Sequence, residues 1–352
     1  MDPISPAMTT PFLPVGFRIG GLEISPPLVL APMAGLTDRA FRRLVRHCGG
    51  VGLVVGEITS SEGLSRGNPR ATELIRVDPG EHPIALQISG SNPKRMAKSA
   101  RLCAEAGADA VDINMGCPVP KITRTACGSA LMLDPLCAAE LASAVVEATD
   151  LPVTVKMRLG WSETSLTYLD LARRLEDSGV KCLTLHARTR DQGYSGEARW
   201  EHIAQMKEAV AIPVIGNGDA TGPEEVLDLF RATGCDGVMA GRAVMKNPWI
   251  FRQAMDLAST GSYSRPGFRD RVELTRRHFA DLLEEEAPGF ALHRMKSFLG
   301  KFTKGVPGAA ALRASLDRHK EPASLVEAFE AWADEVATVA PTGSEIPPTP
   351  FL

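Results

Sequence analysis

The segment DAVDINMGCPVPK (109–121) places a cysteine in a turn directly after an apolar run that is typical of a β-strand. Gly116 and Pro118 flank Cys117, so we expect a tight turn that presents the thiol at the end of the strand. Such a thiol can be a nucleophile, a metal ligand, a buried packing group or a proton donor. Because an ordinary cysteine is mostly protonated at neutral pH, proton donation is the favoured role.

The remaining cysteines help to separate these roles. The chain has seven cysteines and no C-x-x-C pair, which argues against a metal site or a disulfide framework. A Cys/His nucleophile pair stays open, although no oxyanion site is indicated. Cys127 lies in the same loop as Cys117 and is the nearest rival for the acid. Packing is expected for the cysteines inside predicted helices and strands: Cys48, Cys103, Cys137, Cys182 and Cys235.

Groups that can bind a ligand also follow the other apolar runs. They are Pro32-Met33-Ala34, Glu57, Gln87, Asn114, Lys156, His186, Asn217-Gly218-Asp219 and Gly241-Arg242. A single polar residue after a strand is common turn chemistry: Glu57 could cap a helix, and His186 could be a satisfied histidine at a barrel rim. The repetition at every strand end indicates that these groups face one mouth.

Two glycine-rich turns, IGNGDATG and MAGRAVMKNP, follow the last two strands. Barrel enzymes commonly bind a phosphate there through backbone N–H groups, and Arg242 could add a charged contact. The alternative is that the glycines only permit tight turns. With Lys156 and Gln87 as donors facing a phosphorylated ligand, the pattern predicts flavin mononucleotide (FMN).

The elements that position these groups alternate between strand and helix, which is typical of parallel βαβ units. The predicted strands are LVLAPMA (28–34), GLVVGE (52–57), IALQIS (84–89), DAVDIN (109–114), PVTVKMR (152–158), CLTLHAR (182–188), PVIGNG (213–218) and GVMAGR (237–242). Eight such units predict an α/β fold, a (β/α)8 TIM barrel. A doubly wound open sheet is the alternative, but it would more usually carry G-x-G-x-x-G where this chain has APMAGLTD.

After about residue 265 only helical patterns remain, so a C-terminal helical-bundle domain is expected. The predicted organisation is a disordered tail (1–15), an FMN-binding TIM-barrel catalytic domain (16–262), a helical domain (263–340) and a second disordered tail (341–352).

The composition fits a globular protein in a reducing compartment. The chain has 352 residues and a formal net charge of −3, which argues against a uniformly basic nucleic-acid binder but leaves room for a local patch. No apolar run is long enough to cross a bilayer, and no signal peptide is evident. We expect a cytoplasmic monomer without membrane or metal partners.

Seven motifs along roughly residues 15–320 carry a family resemblance. They are LAPMAGLTDRAFRRL, NMGCPVPK, GSALM, VTVKMRLGW, HARTRDQGYSGEARW, PVIGNGD and GVMAGRAVMKNPWIF. Together they resemble the bacterial tRNA-dihydrouridine synthases, and the NMGCP and VKMRLGW forms are most similar to the B-type branch. One departure is Cys127, because this position usually holds a small residue in that family.

The resemblance implies an FMN-dependent oxidoreductase that uses NADPH to reduce the C5–C6 bond of specific uridines in tRNA. Cys117 matches the family's proton donor. Asn114 and Lys121 match residues on the substrate side, with Arg188 as a further candidate. The implied FMN contacts are Pro32, Met33, Ala34, Gln87, Lys156, His186, Asn217, Gly218, Asp219, Gly241 and Arg242.

A basic segment in the helical domain is a candidate RNA contact. Residues 290–316 contain no acidic side chain, whereas Arg294, Lys296 and Lys301 occur among aromatic residues. A solvated helix face would explain the same charges. We nevertheless predict a tRNA contact, because a uridine must leave its stack to reach a barrel mouth and the surrounding RNA has to be held.

Two other functions fit part of this pattern. A flavin barrel that acts on a small molecule, as in dihydroorotate oxidation or enoate reduction, would explain the mouth but not the basic helical domain. A binding protein that merely holds RNA or FMN would not need Cys117, Lys156 and Arg242 together. Flavin absorbance, and NADPH consumption with and without tRNA, separate the three.

Overall fold

A computed structural model describes residues 13–306 and 308–339. The predicted terminal tails therefore fall outside the described residues, apart from 13–15. The strands of the described part are β1 (Phe17–Ile19), β2 (Leu22–Ile24), β3 (Leu28–Leu30), β4 (Leu53–Val55), β5 (Thr59–Ser60), β6 (Ile84–Ser89), β7 (Ala110–Met115), β8 (Val153–Arg158), β9 (Gly160–Ser162), β10 (Ser165–Leu166), β11 (Cys182–His186), β12 (Val214–Asn217) and β13 (Gly237–Ala240).

The α-helices lie between and after these strands. They are α1 (Arg39–Cys48), α2 (Ser61–Ser65), α3 (Pro69–Leu74), α4 (Pro93–Glu105), α5 (Pro120–Thr123), α6 (Pro135–Val146), α7 (Tyr168–Asp177), α8 (Glu201–Ala209), α9 (Pro223–Thr233), α10 (Ile250–Thr260), α11 (Phe268–Glu285), α12 (Pro288–Phe302), α13 (Ala309–Ser315) and α14 (Pro322–Val339).

Eight parallel strands close into a barrel in the order β3, β4, β6, β7, β8, β11, β12, β13 and back to β3. The closing pair aligns Val238 with Leu28 and Ala240 with Leu30. The predicted TIM barrel is therefore confirmed, and the open sheet is excluded. Several predicted strands were too long at their C-terminal ends. The first stops at Leu30, because the Pro32 region turns away to form the mouth.

A short antiparallel hairpin, β1–β2, precedes the barrel and was not predicted. Ile19 and Ile24 of this hairpin are fully buried and pack with the strand side chains that point into the barrel, such as Val29 and Ile215. The Phe17 ring lies beside Gly237, at the start of the last strand. The hairpin thus closes the end of the barrel opposite the mouth.

Local sequence signals set the ends of the crossover helices. The Asn92 side chain caps α4 by accepting the N–H of Arg95, and Pro93 starts the helix. Helix α9 begins at Pro223 and ends at Gly234, which has a left-handed backbone that suits glycine.

The four helices α11–α14 form the predicted helical unit, and its apolar core is continuous with the layer between barrel and crossover helices. Ion pairs also join the two units. Arg43 of α1 pairs with Asp281 (3.1 Å) and with Glu285 of α11. Arg294 of α12 pairs with Asp38 (2.5 Å) at the start of α1. The helical unit is therefore packed and charge-paired against the barrel.

Candidate active site

A cavity of about 510 Å³ opens at the C-terminal ends of the barrel strands. Most of the residues expected to hold a cofactor line it: Pro32, Met33, Lys156, His186, Asn217, Gly218, Asp219, Gly241 and Arg242. Ala34 and Gln87 do not. Its walls also include groups to which the sequence had assigned no site role, such as Tyr194 and Lys246. The cavity has the size usual for a cofactor or small ligand.

Lys156 is one of the cations that line this cavity. Its Nζ donates a hydrogen bond to Oδ1 of Asn217 (3.0 Å), whose Nδ2 in turn donates to the carbonyl of Met239 (2.8 Å). Burial, together with the nearby Arg158, lowers the Lys156 pKa to about 8. Lys156 is therefore mainly charged at neutral pH, and its ammonium is held by Asn217 of β12.

Gln87 lies below the cavity floor in a buried chain of hydrogen bonds. Its Nε2 donates to Asp112 (2.6 Å), and its Oε1 accepts from Nδ2 of Asn114 (2.8 Å). Thr154 donates to the other Asp112 oxygen (2.6 Å), and burial raises the pKa of Asp112. This chain fixes the Asn114 amide, so Gln87 contributes through Asn114 rather than by lining the cavity.

The Cys117 turn is held from several sides. Oδ1 of Asn114 accepts the Cys117 N–H (3.0 Å), and the Cys117 carbonyl accepts both the N–H (3.1 Å) and the hydroxyl (3.0 Å) of Ser129. Arg158 Nε donates to the carbonyl of Gly116 (2.9 Å). Gly128 has φ of +62°, and a Cβ there would lie 2.8 Å from the Cys117 carbonyl oxygen, so this close approach requires glycine.

The Cys117 thiol is half-buried next to the cavity, although it does not belong to the lining. Its sulfur is near enough to Lys156 to be among the groups that raise the lysine pKa. Cys127, also half-buried, directs its Sγ to the carbonyl of Thr125 (3.2 Å). Lys121 is exposed on the short helix α5 of the same loop.

His186 and Arg188 form a buried pair after β11. Burial, then the surrounding cations, lower the pKa of His186 well below its ordinary value. Nη1 of Arg188 lies 3.4 Å from Nε2 of the imidazole, which therefore accepts. Arg188 Nη2 also bonds both oxygens of Asp219 (2.8 and 2.9 Å) and the carbonyl of Gly196 (2.6 Å). Arg188 therefore connects the loop that contains Gly196 with the loop that contains Asp219.

The glycine-rich turns have the form of an anion cradle. Gly218 has φ of +122°, and its carbonyl accepts from Trp200 Nε1 (2.9 Å). A Cβ at Gly241 would lie 3.3 Å from Cβ of Ala31, so glycine keeps that wall open. The Arg242 guanidinium lies 4.2 Å from the centre of the Tyr194 ring. Backbone N–H groups of such turns together with a cation suit a phosphate.

The side chains of the basic segment face different parts of the protein. Arg294 is mostly buried and pairs with Asp38, Glu57 (3.3 Å) and Glu286 (3.4 Å). Lys296 donates to the carbonyl of His319 (2.8 Å) inside the helical unit. Lys301 lines the cavity. These three side chains therefore make contacts within the protein.

Within residues 13–306 and 308–339, no three His, Cys, Asp or Glu side chains come together as metal ligands. No helix of this part has the length and apolar character needed to cross a bilayer.

The family model described as dihydrouridine synthase matches residues 29–337. A tRNA-dihydrouridine synthase B of Pseudomonas putida is 39% identical over 299 residues, covering 84% of this chain and 88% of the relative. A tRNA-dihydrouridine synthase B of Xanthomonas campestris is 38% identical over 329 residues, covering 92% and 98%. A probable tRNA-dihydrouridine synthase of Rickettsia conorii is 36% identical, covering 88% and 94%.

Solved structures agree on the barrel. Histamine dehydrogenase from a Rhizobium species superimposes with a TM-score of 0.53 at 13% identity, covering 75% of this chain and 50% of that one. Morphinone reductase in complex with tetrahydroNAD superimposes with a TM-score of 0.52 at 14% identity, covering 72% of this chain and 92% of that one. At such low identity the likeness establishes the fold alone.

Proposed function

The chain belongs to the dihydrouridine synthase family, in its B-type branch, and from this premise we propose that it reduces specific uridines of tRNA to dihydrouridine with FMN and NADPH. The observation that carries the proposal is the set of strand-end groups around one cavity, with Cys117 beside it on a rigid turn. The names of the full-length relatives support tRNA as the substrate.

The residues present fit a flavin mononucleotide. Gly218, Gly241 and Arg242 would hold its phosphate, and Lys156 with His186 would face its ring. The cavity volume of about 510 Å³ suits a ligand of this size. When bound, the flavin supplies hydride transfer from a nicotinamide reductant to the pyrimidine ring.

Lys156 provides a fixed positive charge where negative charge develops. Asn217 holds its Nζ, so little reorganisation is needed during the reaction. Asn114 orients the Cys117 turn through the backbone N–H of that residue. Asn114 is placed by its hydrogen bond to Gln87 of the adjacent strand β6, and Lys156 by its hydrogen bond to Asn217 of β12.

The Cys117 thiol donates its proton to carbon 5 of the pyrimidine. This carbon acquires carbanion character when carbon 6 is reduced, and a nearby acid neutralises it. The turn that carries the thiol is fixed through Asn114, Ser129 and Arg158, which supports one defined position for the sulfur. Cys127, directed to a backbone carbonyl, has no part in this step.

The proposal is tested by the visible absorbance of the purified protein and by NADPH oxidation under anaerobic conditions. We expect bound flavin, and NADPH oxidation that continues through many turnovers only when tRNA is present. Sustained oxidation with a small enone or dihydroorotate instead of tRNA would favour the small-molecule alternative. Absence of flavin would contradict the proposal.

A further inference from the structure

One side chain of the helical unit lines the barrel cavity. Lys301, in the last turn of α12, forms part of its wall together with Arg242 and Lys246 from the loop after β13. The ring of the next residue, Phe302, packs at a tilt against that of Trp249, just beyond that loop, with 6.0 Å between the ring centres. The end of α12 is therefore packed beside the loop that we assign to phosphate binding.

The position of Lys301 is set by a second contact on the same helix face. Arg294 precedes it by seven residues, about two helical turns, so both side chains point to the barrel. Arg294 bonds Asp38 (2.5 Å) and Glu57 (3.3 Å), which fixes the face that carries Lys301. The lysine is therefore presented to the cavity by a docked element rather than by a loose surface helix.

The three cations at this wall lack an acidic partner. Among the described residues, no Asp or Glu lies within 4.0 Å of Arg242, Lys246 or Lys301. Lys301 Nζ donates only to the hydroxyl (2.7 Å) and carbonyl (3.2 Å) of Ser297, which leaves its charge uncompensated. The one carboxylate that lines the cavity among the described residues, Asp219, is paired with Arg188. Cations that have no carboxylate partner suit an anionic ligand group.

We propose that Lys301 is a direct ligand of the cofactor phosphate, so that the bound flavin nucleotide fastens the helical unit to the barrel. This inference rests on the proposed function, which supplies the flavin. It adds a contact from outside the barrel to a site otherwise built by barrel loops. A backbone phosphate of RNA is the other anion that could meet Lys301, and the experiment below separates the two.

The full-length chain, freed of flavin, is titrated with FMN and with riboflavin while flavin fluorescence is followed. Riboflavin lacks the phosphate and so reports the ring contacts alone. We expect Lys301→Met to weaken FMN at least about tenfold, the usual effect of losing a charged hydrogen bond, and to leave riboflavin unchanged. Lys304 is an exposed lysine three residues after Lys301, and Lys304→Met should bind FMN and riboflavin as tightly as wild type.

Each other outcome has a distinct meaning. Unchanged FMN affinity in Lys301→Met overturns the inference, and so does equal weakening of FMN and riboflavin, which would indicate a disturbed fold. Weakened tRNA binding with normal FMN binding would assign Lys301 to RNA and also overturn it. If wild type binds neither flavin, the proposed function itself fails.

Hydrogen exchange tests the fastening. In wild type, FMN should slow amide exchange in α12 and α14 of the helical unit as well as in the barrel loops, because the ligand bridges them. In Lys301→Met, saturating FMN should slow exchange in the barrel loops only. Equal protection of α12 in both proteins would show that the bridge does not exist.

Discussion

Asn114 orients the turn that carries Cys117. Its amide is held by Gln87, which is held in turn by the buried carboxylate of Asp112, and its free oxygen accepts the Cys117 N–H. A buried network of this kind is rigid when all members are satisfied. The cysteine is thereby positioned by side chains of two adjacent strands, β6 and β7.

The acid role of Cys117 predicts a specific loss. Cys117→Ala should retain flavin and reduction by NADPH, because neither needs the thiol. Its single-turnover rate on tRNA should fall roughly 10²- to 10⁴-fold, the usual worth of a general acid. Cys127→Ala is the matched control and should keep near-normal turnover. Normal turnover in Cys117→Ala would remove the proposed role.

Lys156 predicts a pH dependence. Its pKa of about 8 lies below the ordinary value, so the ammonium is present below that pH and is lost as the pH rises through it. The rate of flavin reduction by NADPH should therefore fall above about pH 8, as the fixed positive charge disappears. Lys156→Gln should be slow throughout and show no such transition. A wild-type rate that stays flat from pH 7 to 9 would contradict this assignment.

The polar residues at the strand ends could be predicted from the sequence, but their hydrogen-bond partners could not. Polar residues at strand ends were visible, because parallel strands bring those ends together. The contacts of Gln87 and Arg188 were not, since Asp112 and Asp219 reach them through strand register and loop shape rather than through sequence spacing. Tyr194 lies in the motif HARTRDQGYSGEARW, but nothing in that motif indicated that its ring would lie against Arg242.

Helix α12 is one of the elements that join the two units. Arg294 brings a positive charge to Asp38 and Glu57, and the second Glu57 oxygen accepts the N–H of Gly35 in the loop that shapes the cavity wall. Burial raises the pKa of Glu57, although Arg294 opposes this effect. The helix therefore supports the wall of the site as well as the helical unit.

Arg294→Ala should destabilise the fold strongly. Removing the guanidinium leaves two mostly buried carboxylates without their cation, a loss typically of about 3 kcal/mol or more. Arg276→Ala, which removes an exposed pair with Glu330, should cost under about 1 kcal/mol. Chemical denaturation measures both. If both variants lost only a small and equal free energy of unfolding, Arg294 would not be a structural ion-pair residue. It would then again be a candidate for RNA contact.

The eight barrel strands and the helices between them could be predicted because apolar runs alternate with capped amphipathic segments. The hairpin β1–β2 could not. Its strands have three residues each, and its buried positions, such as Ile19 and Ile24, acquire meaning only once a barrel end exists for them to cover. The first barrel strand was overestimated because the apolar residues 31–33 continue past its end at Leu30 and line the mouth.

The whole molecule carries a formal net charge of −3, so attraction to RNA has to come from local groups. Lys121 and Arg124 are exposed on the loop that also carries Cys117, next to the mouth. In the basic segment of α12, by contrast, Arg294 and Lys296 make contacts within the protein. We therefore expect part of the RNA contact to lie on the Cys117 loop.

Salt titration of tRNA binding tests this placement. Affinity should fall steeply with salt, and Lys121→Glu should weaken binding and lower the salt slope by about one, since each phosphate contact releases about one counterion. Flavin binding should be unchanged. Lys181→Glu reverses an exposed charge at the opposite end of the barrel and is the control. Equal weakening by both variants would indicate a general charge effect instead.

The most direct test of the account is dihydrouridine formation by the purified protein. Unmodified tRNA transcripts are incubated with the flavin-loaded protein and NADPH, and the nucleosides are analysed by mass spectrometry. We expect a uridine that gains the mass of two hydrogen atoms, at defined positions, only when both protein and NADPH are present. Unchanged uridine, with flavin bound and both tRNA and NADPH in excess, would contradict the proposed function.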